Sequence, residues 1–96
     1  MRIESLAGQI KAQADRLFPN RTDSSMFLKI YSETGELVSA ETQDERAGEL
    51  ADLLIMLLDY GARHKIDMTN AIVRKMGTNE SRKWATNELG VNQHVE

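Results

Sequence analysis

The stretch Leu50-Ala51-Asp52-Leu53-Leu54-Ile55-Met56-Leu57-Leu58 is apolar at eight of nine positions, with Asp52 the exception. The surrounding chain has few β-branched runs and no Asn-Gly or Asp-Gly turn between alternating segments, so strand signals are poor. Apolar residues recur instead at spacings of three and four, the period of a helix. A helix that is apolar almost all round must be buried on most sides. In a chain of 96 residues three further helices can hardly cover it, which predicts a dimer or tetramer.

Working outward, Thr42 and Glu45 have the spacing of a capping box and open this helix, with Asp44 favouring its positive start. Arg63, His64 and Lys65 fall at its end, where cations complement the helix dipole. Asp67 is an N-cap candidate for a further helix running to about Trp84. Toward the N-terminus, Ile3, Leu6, Ala7, Ile10, Ala14 and Leu17 fit one helical face, and Pro19 ends that helix. Asn20 to Ser25 is a short polar loop. The next helix opens near Asp23 or Ser24 and carries Phe27, Ile30, Tyr31, Leu37 and Val38. Phe27 and Tyr31 are expected in the core. Phe18 and the following loop are the better candidates for holding a flat ligand. The residues from Asn87 to Glu96 read as a polar, frayed tail. The expected fold is thus all-α: a four-helix bundle in one domain over 1–96, ordered from about 3 to 84, assembling into an oligomer.

Composition excludes several function classes. There is no Cys, so disulfides, zinc-thiolate sites and thiol nucleophiles fall away. A net charge of -3 argues against binding a nucleic-acid polymer, which usually needs a basic stripe. The longest strictly apolar run, Leu53 to Leu58, is far short of the roughly 20 residues that span a bilayer. The first ten residues contain Arg2 and Glu4 and no apolar segment of signal-peptide type, so a cytoplasmic location is expected.

Two acid pairs stand out. Glu33 and Glu36 are three apart on the second helix, and Glu49 and Asp52 are three apart on the third. Each pair projects two carboxylates from one face, and antiparallel packing would let the pairs meet. Chance alone supplies about two such pairs in a chain this acidic, so context must carry the weight. Glu33 flanks an apolar stripe, and Asp52 lies inside the greasiest run. Buried carboxylates are costly unless paired or bound to a cation. Converging carboxylates repel one another, and an all-oxygen ligand set suits Mg²⁺ or Mn²⁺. On the fourth helix Lys75, Asn79 and Arg82 form one polar face at i, i+4 and i+7. Such a row suits phosphate oxygens, Lys as a point charge and Arg as a fork. Acids for a metal and cations for phosphate together suggest a metal–nucleotide site. Asp59 lies seven residues beyond Asp52 on nearly the same face and can support that site. Neither His makes the Glu-x-x-His pair of a di-iron bundle.

The segment Ser32-Glu33-Thr34-Gly35-Glu36-Leu37 resembles an EExGEL block, and Glu49-Leu50-Ala51-Asp52-Leu53-Leu54 resembles an ExADxL block. Lys65-Ile66-Asp67-Met68, followed by Lys75-Met76-Gly77-Thr78-Asn79-Glu80-Ser81-Arg82-Lys83-Trp84, resembles the ending GIDLxxAVxxKMxxNxxRxW. In order and at these separations, the blocks resemble the MazG-like all-α nucleoside triphosphate pyrophosphatases. The resemblance spans Phe27 to Trp84. It implies a four-helix fold assembling as a dimer or dimer of dimers. It also implies Mg²⁺-dependent hydrolysis of a (deoxy)nucleoside triphosphate to the monophosphate and pyrophosphate, a house-cleaning activity on the nucleotide pool. Glu33, Glu36, Glu49 and Asp52 match the family's metal ligands. Lys75, Asn79 and Arg82 match polar positions that contact the triphosphate, and Glu33 or Glu36 would take the proton of the attacking water. Two departures are visible: Ser32 stands where many members have a second Glu, and Lys65 where a helix-ending Gly is common. The rival readings are a helical oligomerisation module with decorative surface acids, and a nucleotide binder that does not cleave. Metal-dependent pyrophosphate release separates them from the enzyme.

Overall fold

A computed structural model describes residues 2–95; Met1 and Glu96, the last residue of the expected tail, lie outside them. Four helices follow in order: α1 (Ile3–Leu17), α2 (Asp23–Val38), α3 (Gln43–Arg63) and α4 (Met68–Ser81). A short antiparallel hairpin closes the chain, β1 (Trp84–Thr86) pairing with β2 (Asn92–His94).

The helix starts are set by local chemistry. The Thr42 hydroxyl accepts the Glu45 N–H at 3.1 Å, while the Glu45 carboxylate accepts the Thr42 N–H at 3.0 Å. This is the reciprocal box that the sequence predicts. At α4, the Asp67 carboxylate accepts the Asn70 N–H at 3.0 Å, again as predicted. The cap of α2 is Thr22 rather than Asp23 or Ser24. Thr22 forms a box with Ser25, whose hydroxyl accepts the Thr22 N–H at 2.9 Å. Ser replaces the usual Glu or Gln there, which hides the box from a pattern search.

The end of α3 closes on Lys65, whose φ of 57° is left-handed. The Ile66 N–H reaches the Gly61 carbonyl at 2.9 Å and the Lys65 N–H reaches the Ala62 carbonyl at 3.1 Å, a Schellman closure. Lys therefore performs the turn that Gly usually makes. At Gly61 the helices approach closely: a Cβ there would meet the Met68 sulfur of α4 at 2.9 Å, so the Met68 side chain would have to shift.

At the C-terminal end two further expectations are corrected. The fourth helix stops at Ser81 rather than near Trp84, because Trp84 has entered β1. The tail is a hairpin rather than a frayed coil. Gly90 supplies a φ of 80°, and the Asn87 side chain accepts the N–H groups of Leu89 and Val91.

Helices α1 and α2 both pack on α3, whereas α4 leans on α1 alone to any extent. The radius of gyration is 15.8 Å, against roughly 12.5 Å for a compact chain of this length. Among the described residues, the buried apolar ones are Ala7, Met26 and Leu58. Leu50, Leu54 and Leu57 of α3 are half exposed, as are Val73 and Met76 of α4. Tyr31, expected in the core, is 76% exposed. Phe27 is also on the surface, packed against Tyr60 with ring centroids 5.0 Å apart. A single chain leaves these faces uncovered. Among the described residues, no helix is long and apolar enough to cross a membrane.

Candidate metal and nucleotide site

Helices α2 and α3 bring three of the predicted acids together. One carboxylate oxygen each from Glu33, Glu36 and Glu49 lies within 4.8 Å of the others. Glu33 is buried, Glu49 half-buried and Glu36 exposed, so the cluster opens to solvent on one side. Glu33 Oε2 and Glu49 Oε2 are both buried without a hydrogen-bond partner. Unpartnered buried carboxylate oxygens are costly, and a hard divalent cation satisfies several at once. The donor set therefore fits Mg²⁺ or Mn²⁺.

Protonation tells the same story. The Glu49 carboxyl is pushed up to about 7, first by its contact with Glu33, then by desolvation and the charge of Glu36. Glu36 is also raised, chiefly by Glu33. Glu33 is held low by hydrogen bonding within the cluster, led by Glu36, and by Lys29. One proton shared among crowded acids is how the cluster limits its own repulsion.

Asp52, the fourth predicted ligand, does not join the three glutamates. It is exposed rather than buried, one turn along α3 from Glu49, and lines an adjoining cavity. That cavity, of about 550 Å³, also has Glu33, Phe18, Met26, Ile55 and Met56 in its walls. Its size falls in the roughly 300–1,000 Å³ range of small-ligand sites. Lys75, Asn79 and Arg82 are not among the residues lining it, since α4 packs elsewhere. Within one chain, the cationic row and the acids are not assembled into a single site.

Two site features escaped sequence reasoning. Lys29 lies 3.2 Å from Glu33 and lines the cavity; its i, i+4 spacing on α2 was the available signal. Arg21 grips Asp59 with two bonds, Nε to Oδ2 at 2.7 Å and Nη2 to Oδ1 at 2.8 Å. The partners are 38 residues apart, so no local pattern announces the pair. His64 does more than end α3: its Nε2 lies 2.9 Å from Asp23 and its ring packs on Tyr60.

An all-α chain with a carboxylate triad beside a ligand-sized cavity defines a metal-dependent class of helical protein. Comparison with known proteins sharpens that class. No family model matches the chain. A dATP/dGTP diphosphohydrolase of Salmonella phage PMBT28 is 44% identical over 86 residues, covering 90% of this chain but 29% of the relative. A dATP/dGTP diphosphohydrolase of Cyanophage S-2L is 31% identical over 93 residues, covering 97% of this chain and 88% of the relative. The solved structure of a Cyanophage S-2L MazG-like pyrophosphohydrolase, bound to dGDP and three catalytic Mn²⁺ ions per active site, matches with a TM-score of 0.88. Its identity is 30%, and the match covers all of this chain and 95% of that one. The chain belongs to the MazG-like pyrophosphohydrolases, a family of hydrolases acting on phosphoric anhydrides.

Proposed function

We propose that this protein hydrolyses purine deoxynucleoside triphosphates to the monophosphate and pyrophosphate, with Mg²⁺ or Mn²⁺ held by Glu33, Glu36 and Glu49 and completed by Asp52. The observation that carries the reading is the convergence of three carboxylates with two unpartnered buried oxygens. The relatives named dATP/dGTP diphosphohydrolase supply the substrate class. A divalent cation bound there neutralises the phosphates and lowers the pKa of a bound water. The chain's own residues do the rest. Glu33 and Glu36 orient the water and hold its proton as it attacks the α-phosphorus, and pyrophosphate departs as the bond from the α-phosphorus to the bridging oxygen breaks. Lys29 screens the phosphate charge from the acids. The walls of the cavity exclude water and fix the base. Nucleoside triphosphates are intracellular, so a cytoplasmic, pool-cleaning role accompanies the activity.

The working unit we infer is a homodimer or homotetramer. The exposed leucines of α3 and the apolar face of α4 need covering, and a second copy carries matching surfaces. Such a copy would also bring Lys75, Asn79 and Arg82 toward the acids that their own chain leaves out of reach.

The test is pyrophosphate release from a panel of deoxynucleoside triphosphates, with Mn²⁺ or Mg²⁺ and with chelator. Glu36→Gln and Asp52→Asn are each expected to lower kcat by 10²-fold or more, the usual scale for a lost acid–base or ligand group, with helicity unchanged. Full activity in both variants, or release of orthophosphate in place of pyrophosphate, would overturn the reading.

A further inference from the structure

The Arg21–Asp59 pair is buried deeper than a surface ion pair: the two side chains are 8% and 6% exposed. The chemistry proposed above uses neither of them. The Arg21 guanidinium nevertheless gathers three separate parts of the chain. Nε and Nη2 hold Asp59 on α3, Nη2 also holds Asp15 on α1 at 2.9 Å, and Nη1 donates to the Phe18 carbonyl at 3.2 Å. The backbone N–H of Arg21 donates to that same carbonyl, again at 3.2 Å. Both lone pairs of the Phe18 carbonyl are thereby taken, and Pro19 restricts the backbone between the two residues.

Phe18 has left the helix. Its φ of -133° and ψ of 62° end α1, while its N–H still reaches the Ala14 carbonyl at 2.7 Å. Its ring stands on the wall of the cavity beside the acid cluster and is 62% exposed. A ring so exposed has little packing to fix it, so its place is set by its backbone, and Arg21 holds that backbone from two sides. A buried ion pair is weak evidence for stability, because apolar side chains of similar volume often hold a fold as well. What an apolar pair lacks is direction. A guanidinium fork sets both the separation of the groups it joins and the orientation of the carbonyl it binds.

We propose that Arg21, anchored by Asp59, is a positioning residue: through the Phe18 carbonyl it holds the Phe18 ring on the cavity wall, where the ring packs against the flat face of the bound nucleotide. The assignment rests on the nucleotide reading of the site given above. Stacking of this kind is indifferent to the groups on the edge of the base, because every base has a π-face. It therefore serves both purines of the proposed substrate class.

The experiment is a double-mutant cycle on calorimetric binding of 2′-deoxyadenosine monophosphate to the full chain with Mn²⁺, which needs no turnover. Phe18→Ala is expected to weaken binding about tenfold, the scale of a lost base–aromatic stack. Arg21→Met combined with Asp59→Leu removes the fork, leaves no unpaired charge and is expected to weaken binding by the same factor, while Mn²⁺ still raises the melting temperature. All three substitutions together should weaken it no further, because the pair acts only through the ring. Arg21→Lys, which keeps the charge but loses the fork, carries the same cycle with less risk to the fold. A merely structural pair would lower the melting temperature and leave the affinity of the folded protein unchanged, which overturns the proposal. So do losses that multiply to about a hundredfold in the combined variant, the mark of a pair acting independently of the ring. Wild-type protein that binds no nucleotide sinks the nucleotide reading and this assignment with it, whereas binding with multiplying losses sinks the assignment alone.

Discussion

The Glu4 carboxylate on α1 accepts the backbone N–H of Thr69 at 2.7 Å, 65 residues along the chain in the first turn of α4. It therefore caps a helix to which it does not belong, and it fastens α4 to α1 where other contacts are few. Contact with the Thr69 side chain, then with Asp67 and the Thr69 N–H, holds the Glu4 carboxyl down at about 2. The folded pKa is below the unfolded value of 4.5, so this stabilisation is complete above pH 4.5 and is lost as pH falls toward 2. The melting temperature of the wild-type protein is expected to decline across that window. Glu4→Gln should begin lower and show a shallower decline, measured by circular dichroism at each pH.

Glu49 has the opposite sign. Its carboxyl sits at about 7, above its unfolded value of 4.5, because Glu33 and Glu36 oppose a second charge. The folded state holds the extra proton between those values, so metal-free protein should lose stability as pH rises from 4.5 through 7. Glu49→Gln is expected to flatten that slope. Divalent metal must displace the proton, so the Mn²⁺-induced rise in melting temperature should be larger at pH 8 than at pH 5.5. An equal rise at both values would show that the metal does not meet Glu49.

Much of this was legible in the sequence because it is local. Thr42 with Glu45, Asp67, and Pro19 after Leu17 mark helix ends within one turn of themselves. Glu33 with Glu36, and Glu49 with Asp52, are findable because a period of 3.6 places each pair on one helix face, although only Glu49 of the second pair joins the cluster. What the sequence concealed depends on distance along the chain. Arg21 finds Asp59 and Glu4 finds Thr69 only after helices have packed. The hairpin was missed because its turn is stabilised by the Asn87 side chain within a segment of low strand propensity. Asp52 was expected to be buried because its neighbours are greasy, yet the face that carries it borders an open cavity.

Lys65 offers a prediction about stability rather than chemistry. Its left-handed φ of 57° crowds a Cβ against the backbone, at a cost of roughly 1–2 kcal/mol for a non-glycine residue. Lys65→Gly relieves this but loosens the unfolded chain. The net expectation is stabilisation by about 1 kcal/mol, read as a shift in the denaturation midpoint at constant slope. Lys65→Ala should change little, since it retains the Cβ.

The same helix α3 makes the assembly testable. Leu50, Leu54 and Leu57 are spaced i, i+4 and i+7 on one face, and Gly61 continues it. Gly61 is buried beneath Met68 of α4, whereas the three leucines before it remain 58%, 53% and 47% exposed. Leu58 points elsewhere and is 5% exposed within the single chain. The two kinds of leucine should therefore fail differently. Leu58→Ala removes side-chain packing inside one chain and is expected to cost about 2–5 kcal/mol. Leu54→Asp or Leu57→Asp would introduce a charge into the face assigned to a second copy. Either is expected to reduce the mass found by sedimentation to that of one chain and to lower pyrophosphate release with it, if, as proposed, a second copy carries Lys75, Asn79 and Arg82 to the acids. A wild-type protein that sediments as a single chain and is fully active would remove the second copy from the site.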